Sequence, residues 1–590
     1  MGLKNQTELK ETVASLIVRI FDSYLSEFLI LTRRAKVRFE ERDWRGARRD
    51  AAERLSLYEK VLAQAAVQIE GLLGNGARDR QTWKSIKPIY ARLIARRGNE
   101  DIAETFFNSV TRKLLQSIGI DRDVEFFYLE ARSQAGDRRS TIYSRHRQEA
   151  RTKDLIRSIV REHVFNAPYE DLERDLEMAA SEVDLFLWPL IRDGRHYSIE
   201  ILNPCFFRNK VAYIVGRIVL DSGTLPIILP LSNGERGIRV DSVLMQEADA
   251  SNIFGFAYSY FQVESETPSD LVAFLGTILP RKPLSDLYNA IGFYKHGKTQ
   301  FYRDLHRFVH LSKEQFVIAP GMEGAVMIVF TLPNYDYVFK IMKDRPCFLR
   351  SNQRTDKVID KSEVRFRYKF VCSRDRVGRL VDTQEFENVR FRTKRYSKEL
   401  LDEFKVAARE LVSVRENYVI IKHLYLQRKV KPLPLYFLDE DDAHALRQVV
   451  LDFGYFIKDL AATGLFPADL FNTWNYGVTT GNRVVLYDYD DVIPLESARI
   501  AHKPDPMNES EEISPQEEWI VAQSTDFFLD EMDTYVGVPS PLRGIFNGEH
   551  KDLFSLEFWE RMKKRVSAGE IIDIVPYDRT KRFRGLDREA

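Results

Sequence analysis

Three acidic side chains stand close together late in this 590-residue chain. They are Asp488, Asp490 and Asp491, and they close a predicted strand at 483–486. Packing carboxylates together costs repulsion unless a cation compensates for it. Asn475 stands thirteen residues before Asp488 and could add an amide oxygen. This cluster predicts a divalent-cation site with Asn475, Asp488 and Asp490 as its ligands.

A further aspartate, Asp469, precedes these acids in the run Phe466-Pro467-Ala468-Asp469. It follows a predicted helix and lies six residues before Asn475. A carboxylate at this point could orient a hydroxyl group that attacks a phosphoryl group. An aspartate after Pro-Ala is also an ordinary turn residue, and that interpretation stays open.

Two glycines and a lysine lie far upstream, among three successive predicted strands. Gly321 and Gly324 fall in the first turn, where the absence of a Cβ lets the main chain bring N–H groups to phosphate oxygens. Lys340 lies in the third strand, sixteen residues after Gly324, in an apolar stretch. A plain hairpin and a solvent-facing lysine are the competing interpretations. The candidate phosphate-binding segment comprises Ala319, Pro320, Gly321, Met322, Glu323, Gly324 and Ala325.

These parts occur in the order in which a protein kinase carries its phosphate loop, strand lysine, catalytic aspartate and metal ligands. The spacing from Asp469 to Asn475 is six where kinases have five, Ala468 replaces an arginine, and Phe-Gly does not follow Asp488. We therefore predict that the Lys340 amine and the late acids converge around one magnesium-bound triphosphate. The alternatives are a kinase-like enzyme for another substrate, and a nucleotide-sensing pseudokinase scaffold without turnover.

The elements around these residues are predicted by hydrophobic periodicity. Strands separated by turns occupy about 314–343, and helices are predicted at about 361–373 and 441–462, the latter ending at Gly464. The segment 502–518 is acidic and proline-bearing and predicts an exposed loop, a candidate substrate contact. The tail 576–590 is polar and basic and predicts a mobile end.

The N-terminal half has a different pattern of secondary-structure signals. Apolar residues recur at helical spacing from Val13 to Phe28 and predict a core-facing stripe. The arginine-rich segments 33–49 and 138–157 predict solvated helical faces. Short β-type runs occupy about 197–246, and helical patterns resume at 269–312. We predict an α+β protein with a mostly helical regulatory domain at 1–312, which has a small β insertion, and a catalytic domain at 313–590.

Composition excludes several classes of protein. Lysine plus arginine equals aspartate plus glutamate at 88 each, so no net field recruits nucleic acid or membrane. The three cysteines have no metal-ligand spacing and predict a reducing compartment. The first residues are polar where a signal peptide is apolar, so a cytoplasmic enzyme is expected.

Long stretches of the chain resemble one particular family. The stretches are APGMEGAVMIVFTLPNYDYVFKIMKD, SRDRVGRLVDTQEFENV, LFPADL, NYGVT and RVVLYDYDD. They resemble isocitrate dehydrogenase kinase/phosphatase, the AceK family, and the resemblance covers essentially the whole chain. It implies that the catalytic domain at 313–590 is an atypical bilobal protein-kinase-like domain. It implies a bifunctional enzyme that reversibly phosphorylates a serine of NADP-dependent isocitrate dehydrogenase, controlling flux between the tricarboxylic acid cycle and the glyoxylate bypass.

The resemblance also implies cofactors, partners and site residues. ATP with Mg²⁺ or Mn²⁺ is implied, together with AMP as an allosteric effector and a homodimer. It places the ATP-binding segment on 319–325 and the ATP-contacting lysine on Lys340. Asp469, Asn475 and Asp488 take the catalytic-loop and metal positions. It assigns the active-site aspartate of the phosphatase reaction to Asp375, and we expect this residue to act as a general base. From the residues alone, Asp375 is a helix-end acid flanked by arginines.

Overall fold

The computed structural model describes residues 3–128, 142–147, 151–191, 197–257, 259–321, 324–350, 353–358, 360–503, 526–532, 537–572 and 574–583. Met322 and Glu323, and the acidic segment 502–518 beyond residue 503, lie outside the described residues. The chain divides into two compact units. The first comprises Met1–Gly255, Tyr260–Lys313 and Val575–Ala590, and the second comprises Phe256–Ser259 and Glu314–Ile574.

Helices and a sheet build the first unit. Its helices are α1 (Leu3–Glu40), α2 (Trp44–Leu73), α3 (Arg80–Ile94), α4 (Glu100–Leu115), α5 (Thr152–Glu162), α6 (Leu172–Leu187), α7 (Glu247–Ile253), α8 (Pro268–Ile278), α9 (Leu284–Ala290) and α10 (Tyr294–Leu311). Its strands are β1 (Tyr143–Arg147), β2 (Ser198–Leu202), β3 (Phe206–Arg208), β4 (Val211–Leu220), β5 (Gly223–Gly234) and β6 (Gly237–Val240).

The apolar stripe predicted on the first helix is confirmed. Val13, Ile17 and Phe21 are completely buried on α1, and Tyr24 and Phe28 follow them into the same core. These positions recur at three- and four-residue spacing and therefore lie on one helical face.

The sheet of the first unit is antiparallel in the order β1-β2-β4-β5-β6, with β3 paired to β4. Alternate residues of β4 enter two different cores. Val211 and Tyr213 pack into the core that contains α1, whereas Ala212 and Ile214 pack into the core that contains α5 and α6. Because successive side chains of a strand point to opposite faces, both faces of this sheet are covered.

Two expectations for the first unit were wrong. Residues 142–147, in an arginine-rich segment predicted to be helical, include the edge strand β1, where Arg145 pairs with the buried Glu200 of β2. Residues 576–583, predicted as part of a mobile tail, are anchored instead. Tyr577 is buried in the α1 core, its hydroxyl donates to Asp241 at 2.5 Å, and Arg582 pairs with the same carboxylate at 2.8 Å. We call residues 575–583 the C-terminal strap.

The second unit carries the predicted site. Its helices are α11 (Lys361–Ser373), α12 (Lys398–Ala407), α13 (Leu433–Asp439), α14 (Ala443–Ala462), α15 (Ser540–Glu549) and α16 (Leu556–Ser567). Its longer strands are β8 (Met327–Thr331), β9 (Tyr337–Met342), β10 (Cys347–Arg350), β11 (Gln353–Val358), β12 (Thr383–Arg392) and β14 (Tyr418–Arg428). Its shorter strands are β7 (Val317–Ile318), β13 (Val412–Val414), β15 (Lys431–Pro432), β16 (Leu465–Pro467), β17 (Tyr476–Val478), β18 (Val484–Leu486), β19 (Val492–Pro494), β20 (Arg499–Ala501) and β21 (Asp526–Phe528).

One antiparallel sheet of the second unit has the order β12-β14-β9-β8-β7, with β13 paired to β14. The predicted succession of three strands is confirmed as β7, β8 and β9, and the helix predicted at 361–373 is confirmed as α11. Strand β9 is interior to this sheet, so its residues are covered by neighbours on both sides. The later acids are positioned by two small pairings, β17 with β18 and β16 with β19.

Candidate active site

Lys340 lies in the middle of the sheet, on β9, opposite Val329 of β8 and Tyr425 of β14. Only 5% of its surface is exposed. Its ammonium group donates a hydrogen bond to the Tyr487 carbonyl at 3.0 Å and lies 4.0 Å from a carboxylate oxygen of Asp488. The structure therefore brings together an amine and an acid that are separated by 148 positions in sequence.

The hairpin of β17 and β18 places Asn475 beside Asp488. Tyr476 pairs with Leu486, so the residues before one strand meet those after the other. The Asn475 carbonyl accepts hydrogen bonds from the backbone N–H groups of Tyr487, at 3.1 Å, and Asp488, at 3.4 Å. The predicted pair is thus held by main-chain bonds that do not use the side-chain amide or carboxylate.

Asp490 is the most buried of the late acids that were predicted to bind metal, with 9% of its surface exposed. Burial raises the pKa of Asp490 well above its ordinary value and the charge of Asp488 raises it further, while Lys340 and Arg367 oppose the change. Its Oδ1 atom is buried and has no hydrogen-bond partner among the described residues. A buried carboxylate oxygen beside a second carboxylate fits the donor set that a hard divalent cation prefers.

Asp469 reaches the same region through a different pairing. Strand β16 pairs with β19, and the backbone N–H of Ala468 donates to the Asp491 carbonyl at 2.8 Å. Burial raises the pKa of Tyr476, and the charges of Asp469 and Asp491 raise it further. Asp469 is itself 9% exposed.

The glycine turn lies between β7 and β8. Gly321 has φ of 133°, a conformation that side-chain-bearing residues rarely adopt, and among the described residues no heavy atom lies within 4 Å of a Cβ added there. At Gly324 an added Cβ would lie 2.7 Å from the Met327 carbonyl oxygen, so the chain requires glycine there for space. Ala319 donates its N–H to the Val329 carbonyl at 2.9 Å, while Pro320 is exposed and Ala325 half-buried.

Asp375 follows α11 and is 3% exposed. Its carboxylate accepts backbone N–H groups from Gly378 at 3.0 Å, Ala257 at 3.1 Å and Val377 at 3.4 Å. The amino-acid sequence indicates only a helix-end acid at Asp375, whereas the structure places this residue at the centre of a buried turn. Its described bonds stabilise main chain, a different setting from that of Asp488 and Asp490.

Sequence reasoning missed two arginines in this region. Arg367 on α11 donates to the Asp490 carbonyl at 2.6 Å. Arg379 is 2% exposed and pairs with Asp452 and Asp459 of α14. A signal for the second was present, because Asp452 and Asp459 stand seven residues apart, on one face of an otherwise apolar helical stripe.

Metal ligation by protein side chains alone is limited here. No group of three or more His, Cys, Asp or Glu side chains suited to a metal ion occurs within the parts of the chain that the structure describes. Two carboxylates and an amide leave most of a Mg²⁺ shell to nucleotide oxygens and water, the usual arrangement at phosphoryl-transfer sites. Among the described helices, none combines the length and the apolar character needed to cross a bilayer.

The sheet with its buried lysine, the glycine turn and the late acids define a protein-kinase-like unit preceded by a mostly helical unit. Comparison with known families is specific. Residues 14–313 match the family described as isocitrate dehydrogenase kinase/phosphatase (AceK), regulatory domain, and residues 314–579 match its kinase domain. The chain belongs to the isocitrate dehydrogenase kinase/phosphatase family.

Individual relatives are similar over nearly their whole length. The chain is 40% identical over 570 residues to isocitrate dehydrogenase kinase/phosphatase of Anaeromyxobacter sp. (strain Fw109-5), covering 97% of each chain. It is 35% identical over 584 residues to the protein of that name from Pectobacterium carotovorum subsp. carotovorum (strain PC1), covering 98% of this chain and 96% of the relative. A kinase/phosphatase family implies ATP and a divalent metal ion as cofactors.

Proposed function

We propose that this chain phosphorylates NADP-dependent isocitrate dehydrogenase on a serine and also removes that phosphate. By inactivating and reactivating its substrate it would control flux between the tricarboxylic acid cycle and the glyoxylate bypass. Family membership supports the substrate and both directions. The observation that carries the chemistry is the convergence of Lys340 with Asp488, beside the buried Asp490.

Lys340 and the glycine turn would hold the phosphates of ATP. An ammonium group has three N–H donors, and the Tyr487 carbonyl accepts one of them. The charge is held in an interior strand, where the surrounding protein strengthens its attraction for phosphate oxygens. A Cβ added at Gly321 would meet no heavy atom of the described residues within 4 Å, which supports the approach of a phosphate to its main chain.

Asn475, Asp488 and Asp490 would hold Mg²⁺ or Mn²⁺. The buried Oδ1 atom of Asp490 and the raised pKa of that carboxyl support this assignment, because a cation would offset the cost of two adjacent carboxylates. When bound, such an ion supplies charge neutralisation at the phosphate oxygens. Asp469 would orient the serine hydroxyl of the substrate for attack in line with the leaving group.

Asp375 would serve the phosphatase direction as a general base for water. The assignment comes from the family resemblance, and its support here is proximity along the chain to α11, whose Arg367 touches the Asp490 carbonyl. A carboxylate that already accepts three N–H groups and is 3% exposed must gain access to water to act in this way. AMP acting through the N-terminal unit, a homodimer and a cytoplasmic location complete the proposal.

A paired label assay tests the function. The chain is incubated with Mg²⁺, γ-labelled ATP and purified NADP-dependent isocitrate dehydrogenase, and after removal of ATP the labelled substrate is incubated again with the enzyme. Label should enter the dehydrogenase with loss of its activity, and should leave with recovery of activity. ATP consumption without label on that protein would indicate a kinase-like enzyme with another substrate.

The pseudokinase alternative is separated by ADP release. The geometry favours turnover, because the lysine, the asparagine and the paired acids are all retained. A catalytic site should release ADP with Mg²⁺ and stop in the presence of a chelator. Binding of ATP without ADP release would establish a nucleotide-sensing scaffold instead.

A further inference from the structure

A buried ionic network lies behind the acids that are proposed to bind metal. Arg379 donates from Nη1 and Nη2 to the two carboxylate oxygens of Asp452, at 2.6 and 2.9 Å. Its Nε donates to Asp459 at 2.8 Å. Both acids belong to α14, so one guanidinium group binds two positions on the same helix face that lie about two turns apart.

The network continues into β18, the strand that ends two residues before Asp488. Arg379 also donates to the Val484 carbonyl at 3.1 Å, and the Val484 N–H donates to Asp452 at 2.6 Å. The backbone carbonyl of Arg379 accepts a hydrogen bond from the N–H of Leu486 at 2.8 Å. Val381 donates its N–H back to the Leu486 carbonyl at 3.0 Å. The position of β18 is therefore set by both the side chain and the backbone of this segment.

The same segment carries Asp375. Asp375 accepts the Gly378 N–H, one residue before Arg379, at 3.0 Å. Arg483, the residue before β18, donates to the carbonyls of Val377 at 2.7 Å and Gly378 at 3.3 Å. One network thus joins the turn that holds Asp375 to the strand that delivers Asp488.

Each charge of this buried pair offsets the cost of burying the other. Burial alone would lower the pKa of Arg379, but Asp452 and Asp459 raise it above its ordinary value. Burial alone would likewise raise the pKa of Asp452, but Arg379 lowers it below the ordinary value. Buried ion pairs of this kind are often no more stabilising than apolar side chains of the same volume, although they define geometry closely. Hydrogen bonds from a planar guanidinium group also fix direction, which a lysine cannot reproduce.

We propose that Arg379 is a positioning residue that holds β18 and the 375–381 segment in register, and so sets Asp488 and Asp490 for metal-nucleotide binding. The inference rests on the proposed function and deepens it. Arg379 acts through Asp452 and the Val484 and Leu486 backbone. Outer partners of metal-binding groups typically change metal affinity by 10- to 100-fold when they are replaced.

Binding of Mn²⁺ tests this without relying on catalysis. Free Mn²⁺ is measured by electron paramagnetic resonance in the presence of ADP, for the full chain and for Arg379→Lys. We expect Mn²⁺ affinity to fall about tenfold in Arg379→Lys, because the three N–H donors of an ammonium group replace neither the four hydrogen bonds of Arg379 nor its planar grip on both oxygens of Asp452. Unchanged Mn²⁺ affinity in a folded Arg379→Lys protein would overturn the proposal.

Two helix variants separate positioning from stability. The Asp452 carboxylate accepts hydrogen bonds from Arg379 and from the backbone N–H of Val484. The hydrogen bond described for the Asp459 carboxylate comes from Arg379. Asp452→Asn should therefore weaken Mn²⁺ binding more than Asp459→Asn does at equal thermal stability. Mn²⁺ affinities equal to that of the wild type in both folded variants would show that the network only supports the fold.

The Mn²⁺-binding test of Arg379 does not depend on which protein the chain phosphorylates. If the wild-type chain binds Mn²⁺ with ADP but does not label isocitrate dehydrogenase, the proposed function fails while the role of Arg379 can still be judged. If Arg379→Lys loses Mn²⁺ affinity, the Mg²⁺ concentration for half-maximal labelling should rise by the same factor, with KM for the protein substrate unchanged. A rise in that KM with no change in Mg²⁺ dependence would contradict the positioning role.

Discussion

In the second unit the buried ammonium group of Lys340 and the carboxyl groups of Asp488 and Asp490 lie in one region, and no ammonium–carboxylate contact shorter than 4.0 Å is described among them. Lys340 donates to a carbonyl at 3.0 Å and stands 4.0 Å from Asp488, while Asp490 keeps a buried oxygen without a hydrogen-bond partner among the described residues. A tight ion pair would neutralise both groups. Their separation leaves the ammonium group to attract phosphate and the carboxylates to attract a cation.

Replacement of Lys340 by alanine should lower kcat/KM for phosphorylation by about 10²-fold or more, since a preorganised cation at the transferred phosphate is lost. Labelling kinetics with purified isocitrate dehydrogenase measure the change. Lys343→Ala is the matched control, because its amine lies 4.0 Å from Glu403 at the end of the same strand region and should leave labelling within about twofold. Full labelling activity in Lys340→Ala would remove the lysine from the mechanism.

Replacement of Asp375 by alanine should suppress dephosphorylation more than phosphorylation, because only the reverse direction needs a base for water. The two rates are measured on one enzyme preparation and compared as a ratio. Asp375→Asn is the matched variant, since it retains one oxygen acceptor for the backbone N–H groups. Equal loss of both activities in the two variants would show that Asp375 only anchors its turn.

The order of the candidate residues along the sequence predicted that the Lys340 amine approaches the late acids. The other contacts of these residues became evident only in the structure. Lys340 meets Asp488 because an interior strand and a hairpin end deliver them, and both elements could be predicted from apolar runs and turns. The setting of Asp375 could not be predicted, because its partners include Ala257, 118 residues earlier in the chain. Long-range backbone contacts of that kind leave no local pattern in sequence.

Helix α14 is the element on which the late part of the second unit is assembled. One face carries Asp452 and Asp459 toward Arg379, and another receives α15 at Gly454. A Cβ at Gly454 would lie 2.0 Å from the His550 ring, so this helix contact requires glycine. The sequence predicted the helix and its end, but not the glycine contact, because His550 lies 96 residues further on.

His550 should make stability depend on pH. It is fully buried, its Nε2 atom donates to the Leu451 carbonyl at 2.9 Å, and Nδ1 has no partner in the described structure. Burial lowers its pKa to about 4, and Lys458 adds to the effect. Since the unfolded chain binds a proton near pH 6.5 and the folded chain does not, stability is full above pH 6.5 and falls as the pH approaches 4.

Between pH 6.5 and pH 4, the contribution of His550 to the free energy of unfolding should fall by roughly 3 kcal/mol at most. Urea unfolding of the wild-type chain and of His550→Gln, measured across this range, isolates the contribution as a difference between two slopes. The variant should show the smaller decline on acidification. Parallel curves would mean that the pKa of His550 is the same in the folded and the unfolded chain.

Across the whole molecule, the two units are not two consecutive halves of the sequence. The first unit includes the C-terminal strap, and the second includes residues 256–259. Tyr577 of the strap packs into the core of the first unit, and its hydroxyl donates a hydrogen bond to Asp241, which is 6% exposed. Lys581 adds a pair with Asp249 at 2.7 Å. Polar composition predicted a free tail here, because the matching acids lie more than 300 residues earlier.

Tyr577→Ala should destabilise the first unit by about 3–5 kcal/mol, the usual cost of deleting a buried aromatic side chain. Tyr577→Phe keeps the ring and loses only the bond to Asp241, so its cost should be nearer 1–2 kcal/mol. Limited proteolysis and thermal unfolding of the full chain measure both. Equal stability of wild type and Tyr577→Ala would show that the strap contributes no packing energy.

The strap has a consequence for synthesis on the ribosome. Translation proceeds from the N-terminus at about 5–20 residues per second, and domains commonly fold as they emerge. Here the core built on α1 lacks Tyr577 until every residue of the second unit has been translated. The earliest-made part of the polypeptide therefore reaches its final packing last, and nascent chains stalled before residue 577 should be more sensitive to protease in their N-terminal region than the released protein.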